Sequence, residues 1–368
     1  MSRGVLALLL LVALLLLVAL GGCRSSRAPR AADASVALSG LDAPRARAAD
    51  FRRGASLGLF VSDPDPAVQR RIYTTMLDEM AEAGVTDVQL VVRWGQQTIH
   101  DVDLRPWPDL TPQDTLLAWV IGAARQRDLR VFLMPIVHIE QRAIGVWRGT
   151  LAPTDLEAFW ARYRDFVLHY ARLAERSGGV ELFAVGSELL SLEADAVRWR
   201  ALIADVRAVY RGQLTYSANW DHYAHVPFWD AVDVVGLTAY HELTHAPDPD
   251  EAALVAGWAS WADALVAWAE ARDLRFVFTE VGYPSTEHGA ARPWDHREGA
   301  RADLALQLRC YRALYRVWQA QPRLAGLYLW NWFGFGGAAD RGYTPRGKPA
   351  AEVVRHWYRG RAERGEAR

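Results

Sequence analysis

Short runs of apolar and β-branched residues alternate eight times with longer segments whose apolar residues recur at the helical period, and this alternation restricts the fold more than any other feature. The runs are Ala55–Phe60, Thr86–Arg93, Arg130–His138, Val180–Glu188, Leu214–Trp220, Val232–Tyr240, Arg275–Tyr283 and Ala325–Trp332. Strands spaced this way are joined by crossover helices and therefore lie parallel. Between them, Leu254, Trp258, Trp261, Leu265 and Trp268 step by four, three, four and three, as do Leu304, Leu308, Tyr311, Tyr315 and Trp318. Each set makes one apolar stripe. Asp65-Pro66, Thr111-Pro112 and Thr154-Asp155 mark helix starts, with a capping side chain before Pro or an acid. No GxGxxG or GxxxxGK[ST] follows a strand, which favours a closed barrel over an open nucleotide-binding sheet. The expected fold is α/β, a (β/α)8 TIM barrel in one domain over residues 54–358.

The flanks read differently. Residues 1–22 carry Ser2-Arg3, the apolar run Val5 to Leu20, and Gly21-Gly22 before Cys23, the layout of an export signal. The run is also long enough for an uncleaved anchor, which needs about 17 to 25 residues. The small pair before Cys23 resembles a bacterial lipobox, and that resemblance implies cleavage before Cys23, lipid on its thiol, and tethering to a membrane in the bacterial cell envelope, on a periplasmic or outer-surface face. Residues 23–53, rich in Arg, Ala, Ser and Pro, are expected to be a flexible tether, and residues 359–368 a charged tail. The second cysteine, Cys310, is left without an intrachain partner and is expected to pack on a helix. With 42 basic and 43 acidic residues the net charge is −1, so nothing in the charge balance points to nucleic acid as a partner.

In such a barrel, chemistry is built at the carboxyl ends of the strands. Those ends carry Arg93-Trp94, His138, Ser187-Glu188, Asn219-Trp220-Asp221, Tyr240-His241, Glu280 and Trp330-Asn331-Trp332. Glu188 and Glu280 lie on opposite sides of the mouth. A lone Glu at a strand end is most often an ion-pair partner, but two facing carboxyls are what glycosidic cleavage requires. One protonates the departing oxygen and the other captures or stabilises the oxocarbenium-like carbon. Their acidities must be split, which an apolar surrounding for the acid and donors such as Arg93 and Tyr240 for the nucleophile would achieve. The 16 tryptophans include rings suited to stacking on sugar faces, although at least half are expected in the core.

The segments Leu182-Phe183-Ala184-Val185-Gly186-Ser187-Glu188-Leu189, Leu214–Asp221 and Phe278-Thr279-Glu280-Val281-Gly282-Tyr283 resemble glycoside hydrolase family 113, in clan A. So do Trp147-Arg148-Gly149, Phe228-Trp229-Asp230 and Tyr343-Thr344-Pro345-Arg346-Gly347-Lys348-Pro349. The resemblance covers roughly residues 54 to 358. It implies a retaining, endo-β-1,4-mannanase-like enzyme acting on mannan-type polysaccharide, with Glu188 as acid/base and Glu280 as nucleophile. It further implies that Trp147 and Arg148 touch substrate, Asn219 and Trp220 line the cleft, Trp330 floors the subsite of the attacked sugar, and Tyr240 hydrogen-bonds Glu280. Ser187 stands where many clan members place Asn, and His241–Asp248 departs from the Tyr-Pro-Leu type of run of mannanases, so the sugar itself is left open.

Two other readings stand beside this one. His241-Glu242-x-x-His245 spells the short signature of zinc hydrolases, but it follows directly on a strand and meets Pro247 and Pro249, which allow a short turn at most. No metal and no cofactor are therefore expected. The other is a non-catalytic glycan-binding lipoprotein for surface polysaccharide, built on the same aromatic platform.

Overall fold

The computed structural model describes residues 37–44, 50–60, 63–141, 143–295 and 300–360. The expected leader, the lipid site Cys23 and residues 361–368 of the tail lie outside the described residues. Eight parallel strands close into a barrel in chain order: β1 (Arg52–Gly58), β2 (Asp87–Gln96), β3 (Arg130–Ile139), β4 (Leu182–Ser187), β5 (Gln213–Ala218), β6 (Val234–Thr238), β7 (Phe276–Val281) and β8 (Leu324–Leu329). Closure comes from β1 pairing with β8 as well as β2, with Arg52 opposite Gly326 and Ala55 opposite Leu329. The connecting helices are α1 (Pro66–Ala83), α2 (Asp114–Arg125), α3 (Leu156–Ser177), α4 (Ala196–Arg207), α5 (Glu251–Glu270), α6 (Leu304–Trp318) and α7 (Ala350–Arg359). The (β/α)8 barrel read from the alternation is the fold observed.

Two of the three helix starts hold. The Asp65 side chain accepts from the Ala67 amide and Asp155 from the Ala158 amide. Thr111 does not cap: α2 begins at Asp114, and the Thr111 hydroxyl instead donates to the Arg93 carbonyl (2.6 Å), tying this loop to the end of β2. Leu254, Trp258, Leu265, Tyr311, Tyr315 and Trp318 are buried between helices and barrel, as their spacing predicts, while Trp261, Trp268, Leu304 and Leu308 are partly buried at the edge of the stripe. Cys310 is buried in α6, and burial pushes its thiol well up.

Inside the barrel, Val91, Phe132, Met134, Leu182, Ala184 and Tyr328 form a separate apolar core. Gly54 makes room for it, because a Cβ there would stand 2.2 Å from the Tyr328 ring. A buried polar belt crosses the interior nearer the functional end. Ser56 donates to Gln89, Gln89 Nε2 to the Thr279 carbonyl (2.9 Å), and Ser217 meets Thr279 at 2.5 Å between hydroxyl oxygens. The opposite end is closed by Asp87, which accepts from Arg52 (3.0 Å) and Arg130 (2.6 Å).

The expected tether is corrected at its inner end. Residues 37–44 are bound to the barrel's helices through their carbonyls: Arg312 donates to those of Ala37 (2.6 Å) and Ser39 (2.8 Å), Arg316 to that of Gly40 (2.7 Å), and Tyr315 to that of Asp42 (2.7 Å). Arg312 and Arg316 also pair with Glu251. β1 likewise starts at Arg52, before the expected boundary, because Arg52 has a ladder partner on β8 and a carboxylate at Asp87. Composition is blind to such contacts, since backbone carbonyls, not apolar side chains, make them. Arg312→Ala removes two of these carbonyl bonds and the ion pair with Glu251, and should destabilise the chain by about 1–3 kcal/mol in denaturant unfolding, with faster proteolysis within residues 37–44. Unchanged stability and cleavage would show that the segment is not held.

Candidate active site

Register shifts cluster at the carboxyl ends of the strands that carry the carboxylates. They fall between Ala184 and Ser187 on β4, between Leu237 and Thr238 on β6, and between Phe278 and Val281 along β7 and β8, with one further shift at the start of β7 between Phe276 and Val277. A shift of this kind re-aims the side chains beyond it. Beyond the first stands Glu188, with φ +53° in the left-handed region, where a residue with a Cβ is strained. Its amide donates to the Ser217 carbonyl (2.8 Å). At β7, Gly282 lets the end of β8 come close, because a Cβ there would stand 2.0 Å from the Trp330 carbonyl oxygen.

Both carboxyl groups are nearly out of solvent, Glu188 at 7 % and Glu280 at 3 % exposure. Arg148, on the turn after β3, donates to Glu188 Oε2 (2.6 Å), and the Thr238 hydroxyl donates to Oε1 (2.9 Å). The Tyr240 hydroxyl donates to Glu280 Oε2 (2.8 Å), while Oε1 of Glu280 takes no hydrogen bond from the described residues. Burial, then the negative charge of Glu188, pushes Glu280 up to about 8, with Arg148 and the Tyr240 hydroxyl pulling the other way. Against the desolvation that opposes it, the Glu188 and Glu280 carboxylates hold Arg148 above its ordinary value. One cation thus serves two acids.

Beside the carboxylates opens a cleft of about 970 Å³, with Arg93, His138, Trp147, Arg148 and Trp330 on its walls. Phe60, Phe333 and Tyr343 complete it. Asn219 reaches the same region from β5, its Oδ1 3.4 Å from the Thr238 hydroxyl. The Arg93 guanidinium stands 3.6 Å over the Phe60 ring, and Arg148 is a cation whose charge acts on both acids. Trp94 lies away from the cleft. It packs on α3 against Phe166 (5.2 Å between ring centroids), Tyr170 and His169. The cause is strand alternation: with Arg93 facing the mouth, its neighbour must face outward. Trp220 sits in an aromatic group with His241, Trp261 and Trp294, stacked on Trp294 at 5.9 Å.

The segment spelling the zinc signature is irregular from Ala239 to Pro249. His241 is buried among Trp220, Trp258 and Trp261, and burial drives its pKa down to about 3. His245 is exposed and paired with Glu242 (3.0 Å), so the two imidazoles do not converge. Among the described residues no group of three or more His, Cys, Asp and Glu is gathered to hold a metal ion.

Thr238 and Tyr343 are site residues that sequence reasoning missed. Thr238 was legible by alternation, two positions before Tyr240 on β6. Tyr343 was not, since it belongs to the loop after β8 and reaches the Tyr240 ring (6.1 Å) only because that loop folds back. The fold-back is pinned by Lys348, whose buried ammonium donates to Ser285 Oγ (2.9 Å), Asp340 Oδ1 (3.1 Å) and the Gly342 carbonyl (2.8 Å).

A (β/α)8 barrel holding two buried carboxyl groups at its carboxyl-terminal mouth, each fed by its own donors beside an aromatic cleft, has the architecture of a paired-carboxylate glycosidase. Residues 68–344 match the family model described as Glycoside Hydrolase Family 113. The chain is 29 % identical to the family 113 β-mannanase of Alicyclobacillus acidocaldarius, solved in complex with ManMIm, with a TM-score of 0.74 over 84 % of this chain and 97 % of that one. A second solved β-1,4-mannanase of the family is 25 % identical, with a TM-score of 0.75 over 84 % and 99 % of the two chains. A β-glucuronidase of Faecalibacterium prausnitzii, 14 % identical with a TM-score of 0.56 over 84 % of this chain and 49 % of that one, shares the barrel fold alone. No curated protein sequence matches. The chain belongs to glycoside hydrolase family 113, and the enzyme is a glycoside hydrolase.

Raising the pKa of a buried carboxyl ties stability to pH with a definite sign. Glu280's contribution is intact below its ordinary 4.5 and is lost as the pH rises through about 8, when a second buried charge must form. Between about pH 6 and pH 9, the native chain should therefore lose more thermal stability than Glu280→Gln. Parallel melting curves for the two would remove the buried second charge as the cause.

Proposed function

We propose that the chain is a retaining hydrolase of β-linked, mannan-type polysaccharide, with Glu280 as nucleophile and Glu188 as acid/base. The observation that carries this is the asymmetric pair: Glu280 keeps one carboxylate oxygen without a protein donor, while both oxygens of Glu188 are held, by Arg148 and Thr238. Glu280 attacks the anomeric carbon as Glu188 gives its proton to the departing glycosidic oxygen, forming a glycosyl-enzyme ester. Glu188, now a carboxylate, takes a proton from water as that water displaces Glu280. The reaction requires the proton on Glu188 and the charge on Glu280, a charge that Arg148 and the Tyr240 hydroxyl favour against the burial that opposes it. Arg148 stabilises the carboxylate charge on whichever of the two residues carries it as the proton moves. A retaining outcome corresponds to carboxyl groups roughly 5 to 5.5 Å apart.

In this reading Trp330 floors the subsite of the attacked sugar, Trp147, Arg148, Arg93 and His138 contact the chain along the cleft, and Asn219 and Trp220 extend it past Thr238. The β-mannan preference rests on the two mannanases reported above, each aligned over nearly its whole length. The enzyme is exported and lipid-anchored through Cys23 in the bacterial cell envelope, on the strength of the Gly21-Gly22-Cys23 run.

The test is sugar release by the fragment from Ala37 onward on β-mannan, glucomannan, β-glucan and xylan, beside Glu188→Gln and Glu280→Gln. Each variant should lose about 100-fold or more in kcat on the preferred polymer, with the released anomer retaining its configuration by proton NMR. Glycan binding without release by the native fragment would make the protein a glycan-binding lipoprotein, and an inverted product would remove Glu280 as nucleophile.

A further inference from the structure

A further buried carboxylate lies behind the acid/base and has no part in the double displacement. Glu193, in the connection between β4 and α4, is 1 % exposed. Its Oε1 accepts from the Tyr216 hydroxyl (2.7 Å), and its Oε2 lies 2.5 Å from Nδ1 of His222, a side chain that is one-third exposed (32 %). The same Tyr216 oxygen accepts from the amide of Leu189 (2.9 Å), the residue directly after Glu188.

That geometry bears on a strained residue. Glu188 keeps φ +53° only if the peptides on either side are held. Its own amide is held by the Ser217 carbonyl, which the barrel ladder fixes. The peptide that follows is held by a phenol, and a phenol oxygen points a lone pair at a fixed donor only when its own proton is committed elsewhere. Glu193 commits it. The carboxylate in turn meets a set of charges from every side: Tyr216 from β5, His222 from the loop after β5 with His225 stacked on it at 4.8 Å, and Glu188 itself. Tyr163 of α3 and Arg148 act on the Tyr216 end. Burial pushes Glu193 upward, and the bonds from Tyr216 and His222 pull it back.

We propose that Glu193 is a positioning residue for the acid/base: through the Tyr216 hydroxyl it holds the Leu189 amide and so fixes the left-handed turn that aims Glu188 at the glycosidic oxygen, with His222 as its solvent-facing partner. The inference rests on Glu188 being the acid/base, and the experiment separates the two. Tyr216→Phe, Glu193→Gln, His222→Gln and the reference Glu188→Gln are compared in kcat/KM on two substrates. One is an unactivated β-mannan oligosaccharide, whose leaving group needs a proton. The other is dinitrophenyl β-mannobioside, whose leaving group departs without one. Glu188→Gln should lose about 100-fold or more on the oligosaccharide and far less on the aryl glycoside. Tyr216→Phe and Glu193→Gln should reproduce that selectivity at roughly 10- to 100-fold, with KM within about twofold, since neither residue touches sugar. Equal losses on both substrates, or none, beside a selective Glu188→Gln would overturn the positioning role. If Glu188→Gln itself shows no selectivity, the acid/base reading falls and takes this one with it. Should Tyr216→Phe or Glu193→Gln fail to fold, His222→Gln decides: at native melting temperature it should show the same selective loss at about 3- to 10-fold, and an unchanged substrate ratio would end the proposal.

Discussion

Holding two carboxyl groups out of water within reach of each other's charge is the constraint on which the rest of this structure depends. Left unpaired, each would shed its charge or unfold its surroundings. The barrel meets the demand by bringing donors from separate strands and turns: Arg148 from beyond β3, Thr238 from the end of β6 and Tyr240 from just past it. No single segment of chain carries more than one of the acids or all of their donors. Barrel closure is therefore a condition of the chemistry as well as of the fold, because the donors converge only when β1 meets β8.

The interior of the barrel supports that arrangement from below. The belt of Ser56, Gln89, Thr279 and Ser217 ties the strands directly under the carboxylates, one residue before Glu280 and at the carbonyl that holds Glu188's amide. Its bonds run between strands far apart in the chain, which stiffens the barrel at that level. Above, the loop after β8 is bound by a buried ion pair between Lys348 and Asp340, a choice that trades desolvation for one fixed loop geometry. Tyr343 reaches Tyr240 from that loop, so the wall of the cleft and the donor to Glu280 are set by the same anchor.

Much of the barrel was legible in the chain because each strand and helix buries a continuous face, and burial writes its period into the order of residues. The eight runs match the eight strands to within a few residues, and Glu188 and Glu280 stand at the ends of the strands that the pattern placed opposite each other. The misses have separate causes. Trp94 was grouped with the site because it closes an apolar run, although the residue before it had already taken the inward position. Thr111 looked like a cap and serves as a strut. Residues 37–44 looked like a tether, because carbonyl oxygens held by Arg312, Arg316 and Tyr315 leave no trace in composition.

By itself, the sequence determined the barrel, the strand ends and the identity of the two acids, since these follow from local periodicity and from motifs that are contiguous in the chain. Only the tertiary structure decided which cation serves the pair, that Thr238 holds Glu188, that His241 is buried among tryptophan rings, and that Glu193 and Leu189, next to Glu188, meet on one Tyr216 hydroxyl. Each of those depends on distances between residues far apart in the chain. Such distances are set by strand order, register shifts and loop return, none of which a single stretch of sequence encodes.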